Sequence, residues 1–139
     1  MPLSPYVLAL RPVRPDVTVE QRIREYYDAL AAGRSLEPFL GERAFVKIGV
    51  EEMLTGADRI AEGLHEQRRT TSDWRVESQS LRTDVREGYA LFSDQVSLAW
   101  TEDPSGDRHE FETRWSGTLV RTESGWAFVS IHVSVSHEL

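Results

Sequence analysis

The 139-residue chain contains no cysteine, which excludes a disulfide framework, a thiolate metal site and a cysteine nucleophile together. It is also almost without lysine: of its 16 basic residues only Lys47 is one. The 23 acidic residues outnumber the basic ones and give a formal net charge of -7, so the cationic surplus that neutralises a phosphate backbone is missing and no nucleic-acid partner is expected. Long apolar runs are absent too. Residues 6–10 (YVLAL) are far too few to span a bilayer, and they lack the basic start and small-residue cleavage site of a secretory signal. No membrane association is expected, and the chain reads as cytoplasmic. Histidine is sparse, and His65, His109, His132 and His137 do not have the partner spacing of a zinc site. Neither a metal nor a cofactor is expected.

What is present is ordinary globular material: 40% hydrophobic residues, with 4 Trp and 5 Phe, enough for one core in one domain. Residues 1–17 carry Pro2, Pro5, Pro12 and Pro15, whose missing N–H groups disfavour a helix or a central strand, so an extended arm is expected there. The domain proper follows over 18–139. Thr18 and Gln21 have the spacing of a capping box, Val19, Ile23, Tyr26 and Leu30 recur on one face, and Gly33 supplies a stop. A short helical turn is expected at 35–40 and a strand at 44–48. Glu51 and Glu52 fall in an expected loop, and a second amphipathic helix built on Ala57, Ile60, Ala61 and Leu64 runs to about Arg69. From Trp74 onward the period changes to that of strands, over 74–83, 89–100, 109–122 and 126–136, with turns at Arg86 to Gly88, Asp103 to Gly106 and Glu123 to Gly125. Helices followed by a meander of strands define an α+β layout, with helices packed on one face of a curved antiparallel sheet.

The order of three segments resembles the nuclear transport factor 2-like superfamily, specifically its SnoaL-like, ketosteroid isomerase-like branch. They are YYDALAAGR at 26–34, LTGADRIAEGL at 54–64, and the final hairpin at 114–134, whose last strand ends in a Trp126-x5-His132-x-Ser134 pattern. The resemblance implies a cone-shaped domain in which a curved, mixed sheet wraps around N-terminal helices and encloses a cavity. It leaves the activity open, because one superfold hosts many chemistries. Enzymes of the ketosteroid isomerase type use a helix tyrosine, which Tyr26 would match, and an acidic base that would fall near Ile48. No acid occurs between Thr113 and Thr122, where the second would be sought, so steroid isomerisation itself is disfavoured. The arginines that line the cavity of the related kinase association domain would correspond to Ser93, Gly117 and Val133, so that anion clamp is not expected.

Alternation divides the final hairpin into two faces. A three-residue loop containing glycine would put even-numbered residues of both strands together. One face then holds Trp115, Gly117, Leu119, Val129, Ile131, Val133 and Val135, lies under the helices and faces Tyr26; with Ser93 from the resemblance, it lines the ligand pocket. The other holds Arg114, Ser116, Thr118, Trp126, Phe128, Ser130, His132 and Ser134. Arg114, Trp126, Phe128 and His132 suit the core of a homodimer interface. A different reading places His132 in a polar pocket beside Arg114, as a general base. The functional expectation is a homodimer that binds a small hydrophobic molecule, with a cofactor-independent isomerase or cyclase activity in which Tyr26 polarises a carbonyl and Glu52 or His132 moves a proton. The alternative is a non-catalytic association module with a vestigial cavity.

Overall fold

The structure, a computed structural model, describes residues 17–41, 46–49, 52–55 and 69–138. The expected arm up to residue 16 and the second helix up to residue 68 lie outside these residues, as do Glu51 and His65. Helix α1 spans Val19–Ala32, and both of its ends follow from local sequence. The Thr18 side chain accepts from the Gln21 amide at 3.1 Å while the Gln21 side chain accepts from the Thr18 amide at 2.9 Å, so two orphan N–H groups are satisfied reciprocally. At the other end Gly33 adopts a left-handed φ of 75° and its N–H returns to the last turn, a conformation that costs a glycine nothing. A single 3-10 turn, Glu37–Phe39, follows.

The strands are β1 (Val46–Gly49), β2 (Glu52–Thr55), β3 (Thr71–Ser78), β4 (Arg82–Val85), β5 (Tyr89–Glu102), β6 (Arg108–Thr122) and β7 (Gly125–Glu138). They form one 7-stranded sheet in the order β2-β1-β7-β6-β5-β3, with β4 also on β5. All pairs are antiparallel except β1 with β7, which makes the sheet mixed. Two expectations are corrected here. Glu52 opens β2, paired with Gly49 across a tight hairpin, rather than sitting in a loop. The single strand expected over 74–83 is two, because the register on β5 moves by one residue between Ser78 paired with Val96 and Arg82 paired with Ser93. The chain bends at residues 79–81, held by the Gln79 amide donating to the Gln95 carbonyl at 2.7 Å.

The core lies between α1 and the concave face of the sheet. Val19, Ile23, Tyr26, Tyr27 and Leu30 of the helix meet Phe92, Val96, Trp115, Leu119, Phe128 and Ile131. Arg22 fastens the far side, its guanidinium donating to the carbonyls of Trp126 at 3.0 Å and Pro38 at 2.6 Å while it lies 4.1 Å over the Phe39 ring. A cation packed against an aromatic face with its N–H groups engaged tolerates partial burial.

The faces of the final hairpin differ from expectation at one end, for a reason visible in the register. Thr122 pairs with Gly125 across the two-residue turn Glu123-Ser124, so near the turn odd residues face even ones, as in Leu119 with Phe128 and Arg121 with Trp126. The register then shifts between Thr118 and Leu119, leaving Val129 as an extra residue in β7, and beyond it Thr118 faces Ser130, Ser116 faces His132 and Arg114 faces Ser134. Such a bulge reverses the phase of alternation. Trp126 and Phe128 therefore join Ile131 and Val133 in the core, 5% and 0% exposed, instead of forming an outer interface.

Candidate functional site

The most unusual group on the concave face is a carboxylate. Along β5 the residues Ala90, Phe92, Asp94 and Val96 alternate inward and are all buried, while Leu91, Ser93 and Gln95 point out and are exposed. Asp94 occupies an apolar position in that alternation and is 4% exposed. A buried carboxylate must be hydrogen-bonded or neutralised, and two donors reach it. The Tyr27 hydroxyl donates to Oδ2 at 3.0 Å and the Ser80 amide donates to Oδ1 at 2.9 Å. One comes from the middle of α1 and the other from the bend between β3 and β4, so Asp94 fixes both against β5.

Burial and the neighbouring Asp94 charge push the Tyr27 hydroxyl far above its ordinary value, so Tyr27 stays protonated and acts as a donor. Trp115, directly across from Asp94 on β6, packs its ring edge-on to Tyr27 with centroids 5.4 Å apart. Its indole N–H donates to the Thr113 hydroxyl at 2.8 Å, which in turn donates to the Val96 carbonyl at 2.6 Å. The polar tips of the concave wall are thus fixed in place, and among the described residues no buried side-chain nitrogen or oxygen lacks a partner.

Tyr26, the tyrosine expected to serve chemistry, is 1% exposed and sits in an aromatic box, its ring centroid 4.9 Å from that of Phe128, 5.7 Å from Phe39 and 6.3 Å from Trp115. Its successor Tyr27 makes the contact to the acid. Trp115, Ile131 and Val133 line the buried concave face as expected. Val129 is the bulge residue and is only partly buried. Ser93 is exposed on the opposite face, paired with Ser116 and Arg82, and is removed from the pocket. His132 and Arg114 are likewise exposed on that outer face, away from the Tyr27 hydroxyl. The Glu52 side chain lies outside the described residues. The structure does not bring Tyr26 and His132 together, and the sequence pattern alone does not single out Tyr27 with Asp94. The available signal was an acid standing in phase with Ala90, Phe92 and Val96.

No group of three or more potential metal ligands occurs among the described residues, and none of their helices is long and apolar enough to cross a membrane.

Known structures share this architecture at low identity. A nuclear transport factor 2-like superfamily protein from Salmonella enterica serovar Typhimurium superposes with a TM-score of 0.77 at 17% identity, covering 84% of this chain and 87% of that one. A ketosteroid isomerase-like protein from Erwinia carotovora atroseptica gives 0.73 at 15% identity over 86% and 94%. A hexachlorocyclohexane dehydrochlorinase gives 0.77 at 8% identity over 87% and 84%. At these identities the likeness is one of fold. No curated protein matches. The SnoaL-like domain model matches residues 19–138, from the first residue of α1 to the end of β7, and the chain belongs to the SnoaL-like domain family, within the nuclear transport factor 2-like fold.

Proposed function

We propose that this chain binds a small hydrophobic molecule against the concave wall of the sheet and catalyses, without a cofactor, an isomerase- or cyclase-type proton transfer next to a carbonyl. The observation that carries the reading is the Asp94 carboxylate, fixed in a wall otherwise made of Phe92, Val96, Trp115, Leu119 and Phe128. One oriented polar group in an apolar surface is how small-molecule sites combine affinity with a defined pose. A carboxylate offers about four acceptor positions, and Tyr27 and Ser80 occupy one each. In this reading a remaining lone pair takes a proton from a carbon next to a carbonyl. The C–H electron pair then moves into the carbonyl to give an enolate, and the proton returns from Asp94 at another carbon, so atoms balance with no redox partner. Tyr27 orients the base, and its firmly held proton keeps it in that role. A ketosteroid isomerase-like protein shares the fold, which supports the class of reaction and leaves the substrate to experiment.

The test is deuterium exchange at the α-carbons of bicyclic ketones in D2O, followed by proton NMR. Wild-type protein is expected to accelerate exchange, and Asp94→Asn, which preserves the shape of the side chain, to reduce that acceleration by about 10²–10⁴. Equal acceleration by a folded Asp94→Asn protein would eliminate Asp94 as the base. Acceleration with none of the ketones would favour a second reading, a non-catalytic association module in which Asp94 only ties α1 to the sheet. That reading draws support from Val85, Tyr89 and Leu91, exposed large hydrophobics at one end of the sheet where a second copy would dock.

A further inference from the structure

The outer face of the sheet carries a second feature that the concave site does not use. Ser80, Arg82, Ser93, Gln95, Arg114, Ser116, His132 and Ser134 bound a groove of about 550 Å³, whose floor is closed by Asp94 and Trp115. Its layout follows from register. Arg82 faces Ser93, Ser93 faces Ser116 and Ser116 faces His132, so one row runs across four strands with a cation at one end, an imidazole at the other and two hydroxyls between. Arg114 stands in the next row, between Gln95 and Ser134. With strands about 4.8 Å apart and residues about 3.4 Å apart along a strand, Arg82 and His132 are separated by about 14 Å of backbone and Arg114 lies about 7 Å from the Ser116 position. Both arginine stems are long enough to close that span over the serines.

The net charge is -7, and three other exposed arginines have acids beside them: Arg86 with Asp84 at 2.9 Å, Arg24 with Glu20 at 3.3 Å, Arg75 with Glu77 at 3.5 Å. Arg82 and Arg114 have no such partner among the described residues. The one acid lining the groove, Asp94, accepts from the Tyr27 hydroxyl and from the Ser80 amide. Two guanidinium groups without an acidic partner among the described residues, an imidazole and four hydroxyls form a donor set matched to an oxyanion.

We propose that this groove is a binding site for a small oxyanion ligand, a phosphate monoester or a carboxylate, held by Arg82 and Arg114 over the Ser93 and Ser116 hydroxyls with His132 closing the far end. The size fits a small metabolite rather than a free ion alone. Guanidinium pairs bind either oxyanion bidentately, so the two sources share one chemistry, and the shape of the anion separates them.

The experiment is an NMR titration of the full chain with inorganic phosphate in one arm and citrate in the other, at ionic strength held constant with sodium chloride, following the His132 ring and the arginine Nε–H signals. Saturable shifts at His132, Arg82 and Arg114 are expected, with the arm that saturates first identifying the anion class. Arg114→Gln, an exposed change, should weaken the apparent affinity at least tenfold, while Arg86→Gln, outside the groove, should leave it unchanged. Shifts that grow linearly with either anion, or equal responses from Arg114→Gln and wild type, would overturn the proposal. Light scattering on the same samples covers the remaining occupant: a dimer in which His132 responds to neither anion would assign the groove to a second copy and overturn it as well.

Discussion

The two faces of β5, β6 and β7 are built from the same three strands and share almost nothing. On the concave side Phe92, Val96, Trp115, Leu119, Phe128 and Ile131 are each no more than 4% exposed. On the outer side Ser93, Gln95, Arg114, Ser116 and His132 are all exposed. Each face nevertheless carries exceptions: the acid Asp94 and the hydroxyl of Thr113 inside, and the apolar pair Tyr89 and Leu91 outside. What the contrast teaches is that alternation decides burial only between irregularities. A single extra residue at Val129 places Trp126 and Phe128 inside, and without it they would stand beside His132. The exceptions are then informative, because a carboxylate turned inward has to be held by donors, and its two donors are what join helix, bend and strand.

The contrast breaks most severely at Gly117. A Cβ there would collide with the Ser130 carbonyl oxygen and come within 2.8 Å of Phe92 Cε1, and a strand backbone cannot yield as a flexible side chain would. Gly117→Ala is expected to cost about 4 kcal/mol, above the usual cost of overpacking because the atom it meets is backbone; a urea midpoint close to that of wild type would show that β6 and β7 are looser than their register implies.

Phe128→Ala tests the bulge itself. Truncating a fully buried phenylalanine that contacts Tyr26 and Phe92 is expected to remove about 3–5 kcal/mol. A residue on an outer interface would instead leave the isolated chain nearly as stable and alter only its assembly. Thermal denaturation at two protein concentrations separates the outcomes.

The smallest effect sharpens the role of the inward acid. Tyr27→Phe removes a hydrogen bond to a buried carboxylate and is expected to cost about 1.5–3 kcal/mol at neutral pH. Because the folded Tyr27 holds its proton more tightly than the unfolded chain does, its contribution is complete below the ordinary tyrosine value of about 10 and declines as pH rises above it, by up to about 1.4 kcal/mol per pH unit. Denaturation between pH 8 and 11 should therefore show wild-type stability falling toward that of Tyr27→Phe at the alkaline end; parallel curves would mean that the hydroxyl is not the group that burial perturbs.

Most of the architecture was legible from local chemistry. The capping box at Thr18 and the left-handed stop at Gly33 are short-range hydrogen-bond solutions, and they sit where the residues put them. The β5, β6 and β7 strands follow from period-two patterning. The site was less legible. Tyr26 and Tyr27 are neighbours on a helix, both are buried, and only the direction of Asp94 on a distant strand distinguishes the packing tyrosine from the hydrogen-bonding one. Asp94 itself could have been singled out by its phase with Ala90, Phe92 and Val96, since an acid at an inward position needs a donor. Its two donors, 67 and 14 residues away in sequence, could not.

The sequence by itself determined the class of fold, the boundaries of α1, the meander of long strands, and the absence of thiol chemistry, because these rest on composition and on interactions within a few residues. The tertiary structure alone decided which side of β7 carries Phe128, that the strand before β5 bends and divides, and that Arg82, Ser93, Ser116 and His132 stand in one row. Those outcomes depend on register, which is set by the length of one turn and the position of one bulge, and a shift of one residue moves every side chain on a strand to the other face.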